Sequence, residues 1–141
     1  MIWKEKPNLQ GLNSSGVKTL VHNLGIEFIE IGDDYLKATM PVDERTRQPM
    51  GLLHGGASVS LAETMGSVAS VCVVGDPFKT PIVGVEINAN HLNAAKNGHV
   101  IGTVTPIKIG RRTHIWNIEI SGPQGKLICV SRLTTMVLQS T

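Results

Sequence analysis

The segment HGGASVSLAETMGSVASVCVV, residues 54–74, decides the fold of this chain. From about Ala57 to Val74, apolar residues fall on every side of a 3.6-residue repeat, which predicts a helix that is buried around nearly its whole circumference. Gly75-Asp76-Pro77 follows and is typical of a helix end. A helix of this kind needs other elements to cover it.

The sequence on either side of this helix has the residue preferences and turns of β-strands. A short helical segment around Gly16–Leu24 comes first, and Gly25 suits the left-handed position that follows many helices. Short connections favour antiparallel pairing, as in the tight turn at residues 122–125. The predicted strands are Ile26–Ile31, Tyr35–Met40, Ile82–His91, His99–Ile107, Thr113–Ser121 and Lys126–Leu138.

These elements predict an α+β fold, with a long central helix wrapped by an antiparallel sheet of about six strands. A chain of 141 residues suits a single domain, here residues 1–141. Because so small a sheet cannot enclose the helix alone, we expect a partner subunit to cover the remainder.

Composition and charge argue against several classes of protein. A net charge of +2 and 4% aromatic residues are too low for a nucleic-acid-binding surface. The charged N-terminus leads into no apolar run, so no signal peptide is expected. The stretch Val59–Val74 is shorter than the roughly 20 residues that span a bilayer. We therefore expect a cytoplasmic protein without a membrane segment, in which Cys72 and Cys129 are reduced and buried.

Glu63 is the only charged residue between Arg47 and Asp76. A glutamate in such apolar surroundings usually has a partner or a chemical role. Helical spacing aligns it with Ser60, Ser67 and Ser70 in one polar stripe. A catalytic carboxylate and a structural carboxylate held by Ser67 or by a partner's backbone both fit this pattern.

The triplet His54-Gly55-Gly56 directly precedes the helix. Glycine lets a ligand approach the backbone, and the first N–H groups of a helix have no acceptor within it. The triplet therefore suits an oxyanion site, although an ordinary glycine turn before a helix can have the same sequence. A nucleophile elbow and phosphate-binding loops are absent from the sequence. The five histidines are scattered, so neither a metal nor another cofactor is expected.

Three longer motifs carry a resemblance to a known family. They are PVDERTRQPMGLLHGGAS with LAET (residues 41–58 and 61–64), GVEINANH (84–91) and SRLTT (131–135), together with the opening MIWK. They resemble the hotdog-fold thioesterases of the phenylacetate-type, or 4-hydroxybenzoyl-CoA thioesterase-like, branch. Within it the pattern is most similar to the family that hydrolyses 1,4-dihydroxy-2-naphthoyl-CoA in menaquinone biosynthesis. The proofreading thioesterases of enterobactin synthesis form its sister family.

The resemblance implies hydrolysis of an acyl-CoA by a homodimer that assembles to a homotetramer, with active sites at the dimer interface. Glu63 would face Gln48, His54 and Gly55 of the neighbour, and Ser67 would hydrogen-bond the carboxylate or a water. Glu63 would act as nucleophile or as general base. The CoA would contact Gly84, His91, Leu92, Asn93, Ala94, Lys108, Ile109, Gly110, Arg111, Arg112 and Thr113.

Some alternatives stay open from the sequence. Lys108, Arg111 and Arg112 suit the phosphates of CoA, but an ordinary solvated turn has the same composition. The acyl group is not fixed, and an aryl thioester on an acyl carrier protein is an alternative substrate. A non-catalytic module that binds acyl-CoA would lack a carboxylate such as Glu63, and a hotdog dehydratase would use a histidine as its base.

Overall fold

The computed structural model describes residues 1–139 and arranges them around one long helix. Two short helices, α1 and α2, precede a hairpin; the long helix α3 follows, and four strands complete the chain. The elements are α1 (Leu9–Ser14), α2 (Leu20–Asn23), β1 (Glu27–Ile31), β2 (Leu36–Pro41), α3 (Gly55–Val74), β3 (Ile82–His91), β4 (His99–Ile109), β5 (Thr113–Ser121) and β6 (Leu127–Val137).

The six strands form one antiparallel sheet in the order β1-β2-β4-β5-β6-β3. This confirms the predicted α+β hotdog fold, and the bounds of β3 and β5 are those that the sequence predicted. Strand β4 runs two residues further than expected, because a bulge between Pro106 and Lys108 lets the ladder continue past the proline. The ten-residue strand β3 lies at one edge of the sheet.

Helix α3 begins at Gly55, two residues before the predicted start, and ends at Val74, where Gly75 caps it with φ 89°. Leu61, Met65 and the opposing Trp116 and Leu133 are all 0% exposed. The helix lies so close to β6 that a Cβ at Gly66 would be 2.5 Å from Leu133 Cδ2. Truncating Leu61 or Met65 to alanine would cost about 2–5 kcal/mol, since each fills a sealed position.

The opposite face of α3 is half-exposed in the single chain. Glu63, Thr64, Ser67 and Val71 all have intermediate burial. The expectation of burial around the whole circumference therefore does not hold within one chain.

The length argument against a membrane span is wrong. Helix α3 has 20 residues and contains an 18-residue window with a mean hydropathy of 1.5, and within residues 1–139 it alone is long and apolar enough to cross a membrane. The helix includes four residues before Val59, residues 55–58, which supply the length that the sequence argument missed. One face of α3 packs against strands β2 to β6, as the core helix of a folded domain does.

The N-terminal region differs from the sequence-based expectation. Residues 16–24 hold only the four-residue α2, because Lys18 adopts a φ of 63° that interrupts a helix. Helix α1 was not predicted. It follows the Asn8 cap, and Asn13 ties it to β1 by bonds of 3.0 and 2.8 Å with the Phe28 carbonyl and N–H.

A buried polar cluster joins α3 to β5 and β6. Ser70 Oγ, at a fully buried position, accepts a hydrogen bond from Trp116 Nε1 at 2.7 Å and lies 3.0 Å from His114 Nδ1 and 2.8 Å from Thr135 Oγ1. Ser70 therefore belongs to the helix–sheet packing, and its expected place in a polar stripe with Glu63 is wrong. His114 is a structural histidine.

Candidate active site

The beginning of α3 presents a free backbone donor. His54 is the N-cap, and its Nδ1 accepts a hydrogen bond from the Gly56 N–H at 2.7 Å. The next two N–H groups, of Ala57 and Ser58, donate to the His54 carbonyl at 3.0 and 3.2 Å. Within the described part of the chain, the Gly55 N–H has no acceptor. Because this N–H lies at the start of the helix, it belongs to the positive end of the helix dipole and can donate to an anionic or carbonyl oxygen of a ligand.

Gly55 also lines a cavity of about 420 Å³. The cavity collects six of the predicted site residues from three separate segments: Gln48, Gly55, His91, Leu92, Asn93 and Ala94. Its other walls are Leu52, Leu53, Ser58 and Ile128. The mixture of apolar walls with a few polar groups is typical of a small-molecule site.

His91 and Gln48 take defined positions around the cavity. The imidazole of His91 lies over Gly55, since a Cβ at position 55 would be 2.9 Å from His91 Nε2. Gln48 sits in a tight turn that ends at Gly51, with φ 80°. The Gln48 side-chain oxygen accepts from the Met50 N–H, which leaves its amide nitrogen as a donor.

Glu63 lies away from this cavity, on the face of α3 that points towards β3. Its carboxylate touches the backbone of Gly84, where a Cβ would come within 2.6 Å of Glu63 Oε1. Neither Glu63 nor Ser67 has a side-chain hydrogen bond or ion pair within residues 1–139. The eight residues from Gly55 to Glu63 correspond to about 12 Å along the helix axis.

His54 faces a second, smaller cavity. It measures about 250 Å³ and is also lined by Arg45, Arg47, Gly56 and Ser60. Because Nδ1 of His54 accepts a hydrogen bond, the proton of the neutral ring is on Nε2. The His54 side chain can therefore donate a hydrogen bond to a ligand without releasing its cap.

The predicted CoA-contacting turn, residues 108–113, lies at the β4–β5 connection. Gly110 makes the bend, where its N–H donates to the Thr113 carbonyl at 2.9 Å. Lys108, Arg111 and Arg112 are exposed, and none of them forms an ion pair within the described residues. Arg112 and Thr113 also border a cavity of about 360 Å³ beside the end of β6.

Sequence reasoning missed Ser58 and Ile128. Ile128 is 70 positions away in sequence and enters the cavity from β6, which no local pattern could indicate. Ser58 lies three residues after Gly55, on the same side of the first helical turn. The three-residue spacing from Gly55 is visible in the sequence, but the predicted polar stripe through Glu63 lies on another face of the helix.

A cysteine nucleophile and a metal site have little support in the described residues. Burial raises the pKa of the Cys72 thiol to about 11 and also raises the pKa of Cys129, so neither provides a thiolate nucleophile. Within residues 1–139, no three His, Cys, Asp or Glu side chains converge as metal ligands do.

The fold and the free donor at the start of α3 agree with the comparisons with known proteins. The sequence profile of the Thioesterase superfamily matches residues 50–129. The chain belongs to the Thioesterase superfamily, and it is a thioester hydrolase with a hotdog fold.

Similarity to individual members extends over nearly the whole chain. It is 53% identical to the 1,4-dihydroxy-2-naphthoyl-CoA hydrolase of Escherichia coli, over 98% of this chain and 100% of that protein. It is 50% identical to the proofreading thioesterase EntH of Cronobacter turicensis, over 98% and 99%. The crystal structure of a thioesterase mutant from Pseudomonas aeruginosa superposes with a TM-score of 0.95 and 46% identity, over 98% and 99% of the two chains.

Proposed function

We propose that this thioesterase hydrolyses 1,4-dihydroxy-2-naphthoyl-CoA to the free acid and CoA, as a step of menaquinone biosynthesis in the cytoplasm. The observation that carries the chemistry is the unpartnered Gly55 N–H at the start of α3, beside a cavity of about 420 Å³. The choice of acyl group rests on the 53% identity to the Escherichia coli hydrolase that acts on this thioester.

The active site is composed of two copies of the chain. A thioester carbonyl must lie within about 3 Å of its oxyanion donor, and the attacking group must reach the same carbon. Within one chain, Gly55 and Glu63 are about 12 Å apart along α3, so they do not meet at one thioester. Glu63 of one copy therefore acts with Gln48, His54 and Gly55 of another.

The free edge of β3 supports this assembly. The strand is ten residues long, with Val83 and Val85 40% and 56% exposed. Long unpaired edges with apolar side chains tend to pair with another strand. Pairing of two β3 edges would join the sheets of two copies and cover the half-exposed face of α3 near Glu63. Two such dimers then form a homotetramer.

The reaction begins when the thioester oxygen accepts hydrogen bonds from the Gly55 N–H and from Nε2–H of His54. Glu63 either attacks the carbonyl carbon or removes a proton from the water that does so. The tetrahedral intermediate collapses with cleavage of the C–S bond, and the CoA sulfur leaves as a thiolate that takes up a proton. If water attacked, the acid is released directly; if Glu63 attacked, water then hydrolyses the mixed anhydride, which releases the acid and restores the carboxylate. Gln48 orients the acyl group or the water, and Ser67 hydrogen-bonds the carboxylate or the water. A single-turnover reaction in ¹⁸O-water separates the mechanisms, since label in Glu63 itself requires the nucleophile.

The CoA portion extends from the cavity past His91–Ala94 and Gly84. Its phosphates are neutralised by Lys108, Arg111 and Arg112, which are exposed and free of ion pairs within the described residues.

A second candidate substrate is an aryl thioester on an acyl carrier protein. It is favoured by the 50% identity to a proofreading thioesterase. The same residues would perform the hydrolysis, while the carrier protein would replace the nucleotide at the surface.

Release of free thiol tests the proposal. The substrates are 1,4-dihydroxy-2-naphthoyl-CoA, benzoyl-CoA, a long-chain acyl-CoA and an aryl-loaded carrier protein, each with the wild type and with Glu63→Gln. We expect the highest kcat/KM for the naphthoyl thioester and a loss of at least 10²-fold in the variant. Equal rates on all substrates would contradict the menaquinone assignment. A preference for the carrier protein would favour the second candidate, and no thiol release would exclude both.

A further inference from the structure

Among the described residues, the hydroxyl of Ser58 has no hydrogen-bond partner, and Ser58 lines the same cavity as Gly55. The residue is 1% exposed and lines the cavity of about 420 Å³. Its N–H donates to the His54 carbonyl. Within residues 1–139, the side-chain hydrogen bonds of α3 involve His54, Ser60 and Ser70 and leave Ser58 Oγ without a partner. In that part of the chain, every side-chain oxygen or nitrogen that is sealed from solvent has a partner. The small exposed area of Ser58 therefore belongs to Oγ, which opens into the cavity.

Two other serines of α3 differ from Ser58 because their hydroxyl groups form hydrogen bonds within the chain. Ser60 Oγ donates to the Gly56 carbonyl at 2.9 Å, and Ser70 Oγ has three side-chain neighbours at hydrogen-bond distance. A nearly buried hydroxyl without a partner is costly in free energy, so such a group usually meets a ligand or a water. The Ser58 hydroxyl is available to a substrate group that enters the cavity.

The position of Ser58 indicates which part of the substrate its hydroxyl contacts. Residues three apart are neighbours on a helix surface, so Ser58 lies beside Gly55 and about 4.5 Å further along the axis. The surrounding walls, Leu52, Leu53, Leu92 and Ile128, are apolar and suit an aromatic ring. With the thioester oxygen at the Gly55 N–H, the nearest polar substituent on such a ring is one ortho to the carbonyl.

We infer that Ser58 is a specificity-determining residue, whose hydroxyl hydrogen-bonds the hydroxyl group that the proposed substrate carries ortho to its thioester carbonyl. This inference rests on the proposed function, because it needs the thioester oxygen at Gly55. The enzyme would accept an aromatic acyl group without that hydroxyl, but less efficiently.

A comparison of three substrates in three proteins tests the inference. The substrates are 2-hydroxybenzoyl-CoA, 4-hydroxybenzoyl-CoA and benzoyl-CoA, and the proteins are the wild type, Ser58→Ala and Ser14→Ala. We expect Ser58→Ala to lower kcat/KM for 2-hydroxybenzoyl-CoA about tenfold, and to change the other two by less than about twofold. The ratio between proteins cancels the intrinsic reactivity of each thioester. Ser14→Ala, which removes an exposed hydroxyl of α1 that bonds only the Gly11 carbonyl, should leave all three within about twofold.

The outcomes separate the inference from the proposed function. Equal loss on all three substrates in Ser58→Ala would overturn the inference, because the hydroxyl would then act on a shared part such as the pantetheine arm. N-acetylcysteamine thioesters, which lack most of that arm, should preserve the selective loss. No thiol release by the wild type would overturn both. Alanine has the highest helix propensity, so Ser58→Ala should fold, and its circular dichroism and unfolding midpoint verify this.

Discussion

The carboxylate of Glu63 lies against the backbone of Gly84, so that a Cβ at position 84 would come within 2.6 Å of Glu63 Oε1. Glycine at this point of β3 leaves the space that the carboxylate occupies. Because φ at Gly84 is outside the positive region, an alanine there would cause no backbone strain. The relationship therefore concerns the placement of the carboxylate and not the folding of the strand.

Gly84→Ala should displace the Glu63 carboxylate and lower kcat about 10²-fold, since a shift of about 1 Å in a reacting group has effects of this size. Stability should change by less than about 1 kcal/mol. The matched control is Gly122→Ala, where the nearest atom to a new Cβ is 3.9 Å away. Thiol-release kinetics and urea unfolding measure both quantities. Full activity in Gly84→Ala would show that catalysis does not depend on the placement of the Glu63 carboxylate against Gly84.

The Gly55 N–H can be removed while the helix is kept. Proline is favoured at the first position of a helix, and His54 already has the φ of −68° and ψ of 130° that suit a residue before proline. Gly55→Pro should lower kcat about 10²- to 10³-fold, as the loss of an oxyanion donor does. Gly55→Ala retains the N–H and adds the same Cβ beside His91, so it is the control. Equal activity in the two variants would rule out the N–H as the oxyanion donor.

Ser70 should matter for stability and little for catalysis. In Ser70→Ala, the buried Trp116 Nε1–H loses its acceptor, which should destabilise the fold by about 1–3 kcal/mol. Ser60→Ala should change stability by less than about 1 kcal/mol, because its hydroxyl bonds only the helix backbone. Urea unfolding followed by tryptophan fluorescence measures the difference. A kcat loss in Ser70→Ala at full stability would assign Ser70 to the active site instead.

His114 should make the stability depend on pH. Burial lowers its pKa below the ordinary 6.5, and a hydrogen bond with the Gly110 backbone opposes this in part. Below pH 6.5 the unfolded chain therefore binds more protons at this residue than the folded chain does. Its contribution to stability is complete above pH 6.5 and is lost as the pH falls towards the folded-state pKa. Unfolding free energies between pH 7.5 and 5.5 should decrease more steeply for the wild type than for His114→Asn, and parallel curves would contradict this origin.

Local patterns predicted the central helix and most of the sheet, because their signals lie within single segments. The all-round apolar repeat and Gly75 located α3, and strand-like residue preferences with short connections located β3 and β5. Helix α1 escaped prediction because it is six residues long with no buried residue, and Asn13 holds it through the distant Phe28 backbone. Its position is a tertiary effect.

The site was predictable where its residues are neighbours in sequence. The cluster at residues 54–56 and the lone Glu63 carry visible signals, and the family resemblance supplied Gln48 and His91. The Glu63–Gly84 contact and the wall formed by Ile128 depend on strands that meet α3 only after folding. Whether Ser58 Oγ has a hydrogen-bond partner cannot be predicted from the sequence either, since it depends on which acceptors lie nearby after folding.

The composite active site is the central claim, and mixing two inactive variants tests it most directly. Glu63→Gln and Gly55→Pro are unfolded together, refolded at equal amounts and assayed for thiol release. If each site takes Glu63 from one copy and Gly55 from another, every mixed dimer has one intact site. Activity should then rise to about one quarter of the wild-type value, since half of randomly paired dimers are mixed and each has one of its two sites. Activity that stays at the level of the separate variants, with mixed dimers present by native mass spectrometry, would show that the two residues act within one chain.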